Sequence, residues 1–152
     1  MRWGVLCVGR LRAPGLEEAI APYLARLAGS APLEVVEVRA GAAHGRSSVE
    51  AEGERLLARL SERDRLVALD VGGERYTTAA LARRVAGWRE SVAGRLWLAI
   101  GGADGLAPAV VARADERLSL SPLTLPHELA RLVVVEQLYR CHCVLTGHPY
   151  HH

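Results

Sequence analysis

The 152-residue chain contains no Lys, no Phe and no Asn, and only two Ile, Ile20 and Ile100. All nineteen basic residues are therefore Arg. The missing amino acids mostly use AT-rich codons, so a GC-rich genome accounts for the bias without a functional cause. Long apolar runs are also missing: nothing approaches the roughly 18 residues that span a bilayer. The opening MRWGVLCVGRLRAPG has no convincing signal-peptide core or cleavage site, and the expected location is cytoplasmic. Cys7, Cys141 and Cys143 are too few, and odd in number, for a disulfide framework. Internal repeats, low-complexity tracts and Pro-rich linkers are absent as well. A formal net charge of +2 excludes a strongly basic nucleic-acid arm but not a local basic site.

What is present is a chain that is 50% hydrophobic and 24% charged, enough to bury a core. The length fits one domain spanning residues 1–152. Short β-type runs alternate with helical patterns. Strands are expected at Trp3–Val8, Leu33–Val38, Leu66–Leu69 (ending at Asp70), Leu96–Ile100 and Glu116–Leu120. Helical spacing runs from Leu16 to Leu27 through Leu16, Ile20, Leu24 and Leu27. Ser47 with Glu50 fits a capping box that opens a helix to about Leu60. Thr77 or Thr78 can cap a helix whose stripe is Leu81, Val85 and Trp88. Pro108 suits the first turn of a short helix, and a last helix is expected from about Pro126 to Val144.

Strands separated by helices form βαβ units. The expected fold is therefore α/β, with a mostly parallel sheet and helices on both faces. Ligands in such sheets bind outside the carboxyl ends of the strands, which singles out the loops after Leu69, Ile100 and Leu120. The last helix carries Leu129, Leu132, Val133, Val134, Val135, Leu138, Tyr139 and Val144 and leaves no broad polar face. Its own sheet would cover one side and a second subunit another; the alternative is one wide core face with a few exposed Val.

The turn Ile100-Gly101-Gly102-Ala103-Asp104-Gly105 lets a ligand approach backbone N–H groups, but it is neither a dinucleotide fingerprint nor a P-loop, and a plain tight turn explains it as well. The segment SLSPLTLP (119–126) is a stiff loop between a strand and the last helix, read either as a ligand loop or as a connector with Thr124 as a cap. Cys141, His142, Cys143, His148, His151 and His152 resemble a metal cluster only at first sight. The two cysteines diverge on a helix and no C-x-x-C pair exists, so no metal is expected. Residues 1–76 hold eleven Arg and eleven acids; residues 77–152 hold eight Arg, six acids and five of the six His. A solvated tail is one reading of that second half. The other is a phosphate-gripping patch built from Arg131, Arg140 and the His-rich tail.

LAIGGADGL (98–106), ADERLSLSPLTLPHELAR (114–131), EQLYR (136–140) and HPYHH (148–152) together resemble the ribosomal RNA large subunit methyltransferase H family, a small branch of the SPOUT (α/β-knot) methyltransferases. VGR (8–10), EVRAG (37–41), EGERLL (52–57) and LDVGGE (69–74) agree with that resemblance. It implies a C-terminal trefoil knot, a homodimer, and S-adenosyl-L-methionine as cofactor, with S-adenosyl-L-homocysteine as product. It places cofactor contacts at Leu69, Gly101, Leu120, Ser121, Pro122, Leu123, Thr124 and Leu125. The implied reaction is methylation of N3 of a pseudouridine in the helix 69 loop of 23S rRNA on assembled ribosomes. Arg140 and the tail would then position the RNA, with His127, His148 or Tyr150 near the base. Family members often end HPYH plus a basic residue, where this chain ends His151-His152. Other readings are the same enzyme acting on another RNA such as tRNA, or a non-enzymatic ribosome-binding protein.

Overall fold

A computed structural model of the chain describes residues 2–151, and for His151 its backbone alone. His152 and the side chain of His151, assigned above to the tail's phosphate contact, lie outside the described residues. Five strands and five α-helices alternate: β1 Trp3–Val8, α1 Leu16–Leu27, β2 Leu33–Val38, α2 Arg46–Leu57, β3 Arg65–Glu74, α3 Thr78–Ser91, β4 Leu96–Ile100, α4 Pro108–Arg113, β5 Glu116–Leu118 and α5 His127–Thr146. A single 3₁₀ turn, Pro149–His151, follows. The sheet is parallel throughout, in the order β2-β1-β4-β3-β5.

Alternation along each buried strand divides the core into two layers, because successive side chains point to opposite faces. Trp3, Val5 and Cys7 of β1, with Val67, Leu96, Leu98 and Ile100, pack under α1, α3 and α5. Leu6 and Val8, with Leu66, Trp97 and Ala99, pack under α2 and α4. The expected stripe of α3 is buried at Leu81, Val85 and Trp88, and the Thr77 side chain accepts the Ala80 N–H at 3.2 Å. All three cysteines are free and buried. Burial pushes the Cys7 and Cys141 thiols up to about 12, so they pack as small apolar groups.

Four local expectations are corrected. The capping box at Ser47 and Glu50 does not form: α2 starts at Arg46 after Gly45, with no side-chain cap, and ends at Leu57. The nearby hydroxyl of Ser48 instead accepts the Ala43 N–H at 3.2 Å, holding the preceding loop. Strand β3 does not stop at Asp70. It bulges between Leu69 and Glu74 and rejoins β5, with the Ser119 N–H donating to the Glu74 carbonyl at 2.8 Å. Gly73 permits that return, because a Cβ there would sit 2.7 Å from Leu118 N. Correspondingly, β5 ends at Leu118. Thr124 does not cap α5, which begins after Pro126.

Helix α5 lies on the sheet between α1 and α3. Two of its flanks are thus covered within the chain, which accounts for much of its all-round apolar character. Leu129 remains exposed, and Leu132 and Val133 are half-buried. The 41%-exposed Glu37 side chain accepts from Arg131 Nη1 at 3.0 Å. Arg131, expected in an open cationic patch, is 2% exposed and also donates to the Gly9 carbonyl at 2.8 Å. It bolts α5 to the ends of β1 and β2 and presents no charge to a ligand.

Candidate active site

The neighbours β4, β3 and β5 bring the three singled-out strand ends side by side. The chain reaches β5 through α4 on one face and leaves it for α5 on the other. Residues 119–126 must therefore cross the carboxyl edge of the sheet. Together with the turns after β3 and β4, they enclose a cleft of about 820 Å³, within the roughly 300–1,000 Å³ typical of small-molecule sites. Its floor includes Leu69, Ile100 and Leu118; α4 contributes Val111 and α5 contributes Ala130.

Leu69, Gly101, Leu120, Ser121, Leu123, Thr124 and Leu125 all line this cleft, as does His127. Pro122 does not; it is exposed between them. The Gly turn is closed by a bridge between Gly102 and Gly105, with the Gly105 N–H donating to the Gly102 carbonyl at 3.1 Å and Gly105 at φ 82°. Gly101 fits only as glycine: a Cβ would overlap Gly105 C and lie 2.6 Å from its oxygen. In the crossing loop, Ser119 Oγ donates to the Ser121 carbonyl at 3.1 Å, and Ser121 Oγ accepts the Leu123 N–H at 3.0 Å. These bonds brace the loop, and Leu123, 71% exposed, and Val71, 58% exposed, both border the cleft.

The sequence reading missed Asp70 and Asp104 as site residues, although both line the cleft; Asp70 directly follows a singled-out strand and Asp104 lies within the singled-out turn, which is the signal that finds them. Asp70 accepts from Arg117 at 3.0 Å and from the Gly72 N–H at 3.3 Å. Asp104 accepts the Gly45 N–H at 3.2 Å and faces His44 Nδ1 at 3.3 Å. Also missed was Glu52, buried beneath the turn. It accepts the Gly41 N–H at 2.8 Å, with its carboxylate where a Gly102 Cβ would meet it. Arg117 already matches the charge of Asp70, so Asp104, which has no Arg partner among the described residues, is the lining carboxylate that suits a ligand carrying positive charge.

His127, Arg140 and Tyr150 are not brought together. His127 borders the cleft, whereas Arg140 is thirteen residues further along α5, about 20 Å away at 1.5 Å per residue. Arg140 donates from Nε and Nη2 to Glu136 Oε1 at 3.0 and 2.6 Å, which raises its pKa. Tyr150 donates to the same oxygen at 3.1 Å. Its hydrogen bond to Tyr23, with burial and Glu136, lifts the Tyr150 pKa well above the ordinary value. The phenol therefore stays protonated near neutrality and offers a ring and a donor, not a base. His142, bonded to Ser30 Oγ at 3.0 Å, is held below its usual pKa by burial, then by Arg89 and His148. Among the described residues no group of three His, Cys, Asp or Glu can hold a metal, and no helix is long and apolar enough to cross a membrane.

The family model described as "Predicted SPOUT methyltransferase" matches residues 1–151. Proteins named ribosomal RNA large subunit methyltransferase H are similar over 99% of this chain and 99% of their own length. That from Anaeromyxobacter sp. (strain Fw109-5) is 48% identical, that from Gemmatimonas aurantiaca 47%, and that from Pseudomonas aeruginosa (strain LESB58) 43%. A family match over nearly every residue, on a parallel sheet with a cleft at its carboxyl edge, means that the chain belongs to the SPOUT methyltransferase family.

Proposed function

We propose that the chain transfers a methyl group from S-adenosyl-L-methionine to N3 of a pseudouridine in the helix 69 loop of 23S rRNA, on assembled ribosomes in the cytoplasm, leaving S-adenosyl-L-homocysteine. The observation that carries this reading is the cleft, built from the three strand-end turns that topology and family resemblance pick out independently. The relatives' name supplies the substrate class. The residues fit such a cofactor: an apolar floor for a planar base, a Gly turn that admits close backbone approach, and Asp104 to offset positive charge.

When bound, the cofactor supplies a methyl group already activated on a sulfonium. The protein's work is then alignment and water exclusion. Leu123 and Val71 on the rim would be covered by ligand and RNA. The acceptor N3–H must lose its proton at or before transfer, and a nearby cation favours the anionic base. His127 stands at the cleft. Arg140 and Tyr150 reach the same base only from a second protomer, which agrees with a homodimer using the outward Leu129, Leu132 and Val133 of α5. In this reading α5 and the tail thread a loop to form the trefoil knot, a rare exception to unknotted topology.

Calorimetry with S-adenosyl-L-methionine and mass-spectrometric mapping of the modified nucleotide on ribosomes test the proposal. Absence of cofactor binding, or a mark on another RNA, overturns it. A chain of net charge +2 binds free RNA weakly, so a short hairpin transcript is expected to be a poor substrate.

A further inference from the structure

Tyr150 belongs to a cluster. Its ring centroid lies 4.7 Å from that of Tyr139 and 6.4 Å from that of Tyr23, and its hydroxyl is 3.4 Å from the Tyr23 hydroxyl. Two guanidinium groups face these rings. Arg140 is 4.8 Å from the Tyr150 centroid, but its charge is matched by Glu136, which takes two of its N–H groups. Arg26, exposed in the last turn of α1, is 5.7 Å from Tyr23, 5.7 Å from Tyr139 and 5.9 Å from Tyr150. Among the described residues no carboxylate lies within 4.0 Å of Arg26. The uncompensated cation at this cluster is therefore Arg26 and not Arg140.

A guanidinium held over rings loses little freedom when it takes an anion, because its plane is already oriented. Tyr23 and Tyr150 are only half-buried, so aromatic surface and fixed positive charge are presented together. That pairing matches a nucleotide, whose base stacks and whose phosphodiester bonds a fork of N–H donors. We propose that Arg26 is an RNA-contacting residue, binding a backbone phosphate beside the base that meets Tyr150. This rests on the reading that the Tyr150 tail faces RNA.

The test compares Arg26→Gln and Arg26→Lys with the wild-type chain, using ribosomal large subunits as methyl acceptor between about 50 and 200 mM salt. Arg26→Gln is expected to raise the KM for subunits about tenfold at the lowest salt. It should also flatten the plot of log KM against log salt by about 0.7, the share of one phosphate contact on a single strand. The kcat and cofactor affinity should stay within about twofold, and Arg26→Lys should keep the salt slope. An unchanged slope in Arg26→Gln, with or without loss of activity, overturns the proposal, since a merely structural Arg26 would not alter it. Phenylglyoxal modification of Arg26 in the wild-type chain, read by peptide mass spectrometry, gives a second readout that needs no variant. Excess subunits should slow it several-fold, and equal rates overturn the proposal. Tyr150→Ala separates the two ideas: if it leaves KM and turnover intact, the RNA-facing reading of the tail fails. If it is disabled while Arg26→Gln keeps its slope, only the assignment of Arg26 fails.

Discussion

Gly101→Ala is the most direct probe of the cleft. The added Cβ would overlap Gly105 C and lie 2.6 Å from Gly105 O and 2.7 Å from Leu106 N, where unstrained contacts to carbon need about 3.5 Å. All three neighbours are backbone atoms, so no side chain can swing away. The turn must open by about 1 Å, which strains the Gly102–Gly105 bridge and shifts the rim toward Asp104. Overpacking of this kind costs about 1–3 kcal/mol, or a fall of roughly 3–9 °C in Tm for a domain of this size. A rim displaced by that much should also weaken S-adenosyl-L-methionine at least tenfold, about 1.4 kcal/mol. Calorimetry measures the affinity and thermal unfolding the stability. Gly87→Ala is the control: it is exposed on α3 with nothing within 4 Å of a new Cβ, and should be neutral or gain about 0.5–1 kcal/mol. Wild-type cofactor affinity together with wild-type Tm in Gly101→Ala would refute the assignment of this turn to the site.

Three further outcomes are expected. Glu37→Gln should cost about 3 kcal/mol in urea unfolding, because it leaves the buried Arg131 guanidinium uncompensated. Arg131→Met should cost only about 1–2 kcal/mol, since water can solvate the half-exposed Glu37; equal losses contradict the buried-cation account. His142 has a depressed pKa in the folded chain, so the unfolded chain takes the proton first. Stability should therefore fall as pH drops through about 6.5 and level off below the folded value. Urea midpoints from pH 7.5 to 5.5 measure that slope, and His142→Gln should reduce it; an unaltered slope removes His142 as the cause. Tyr150→Phe loses the hydroxyl's bonds to Glu136 and Tyr23 but keeps the ring. Turnover should fall while cofactor affinity holds, and parallel loss of both would make the tail structural.

The α/β architecture and most element bounds could be read from the chain, because a buried strand or an amphipathic helix leaves a period in its own residues. Trp3–Val8, Leu16–Leu27, Leu33–Val38 and Leu96–Ile100 match their expected bounds. The misreadings have two causes. The β3 bulge and the shortened β5 depend on partners distant in sequence, Arg117 and Leu118 against Gly73, whereas the box at Ser47 is lost to a local competitor, the Ser48 hydroxyl holding Ala43 five residues back.

The same division runs through the site. Local spacing alone determines which loops end strands, and so which residues can reach a ligand at the carboxyl edge. That β4, β3 and β5 are neighbours, so that those loops share one cleft, follows from the sheet order, which hydrophobic period does not encode. The tertiary structure decides the fate of the charges whose partners are not on the same helix. Arg140 is matched by Glu136 one helical turn before it, a pair that helix spacing alone sets, whereas Arg131 is buried against Glu37, 94 residues away in the chain. Arg26, unremarked in the chain, stands over three tyrosines. Beyond such one-turn pairs, whether an arginine is spent on the fold or left for a ligand depends on which carboxylate the packing brings within a few ångströms, a long-range fact that composition does not contain.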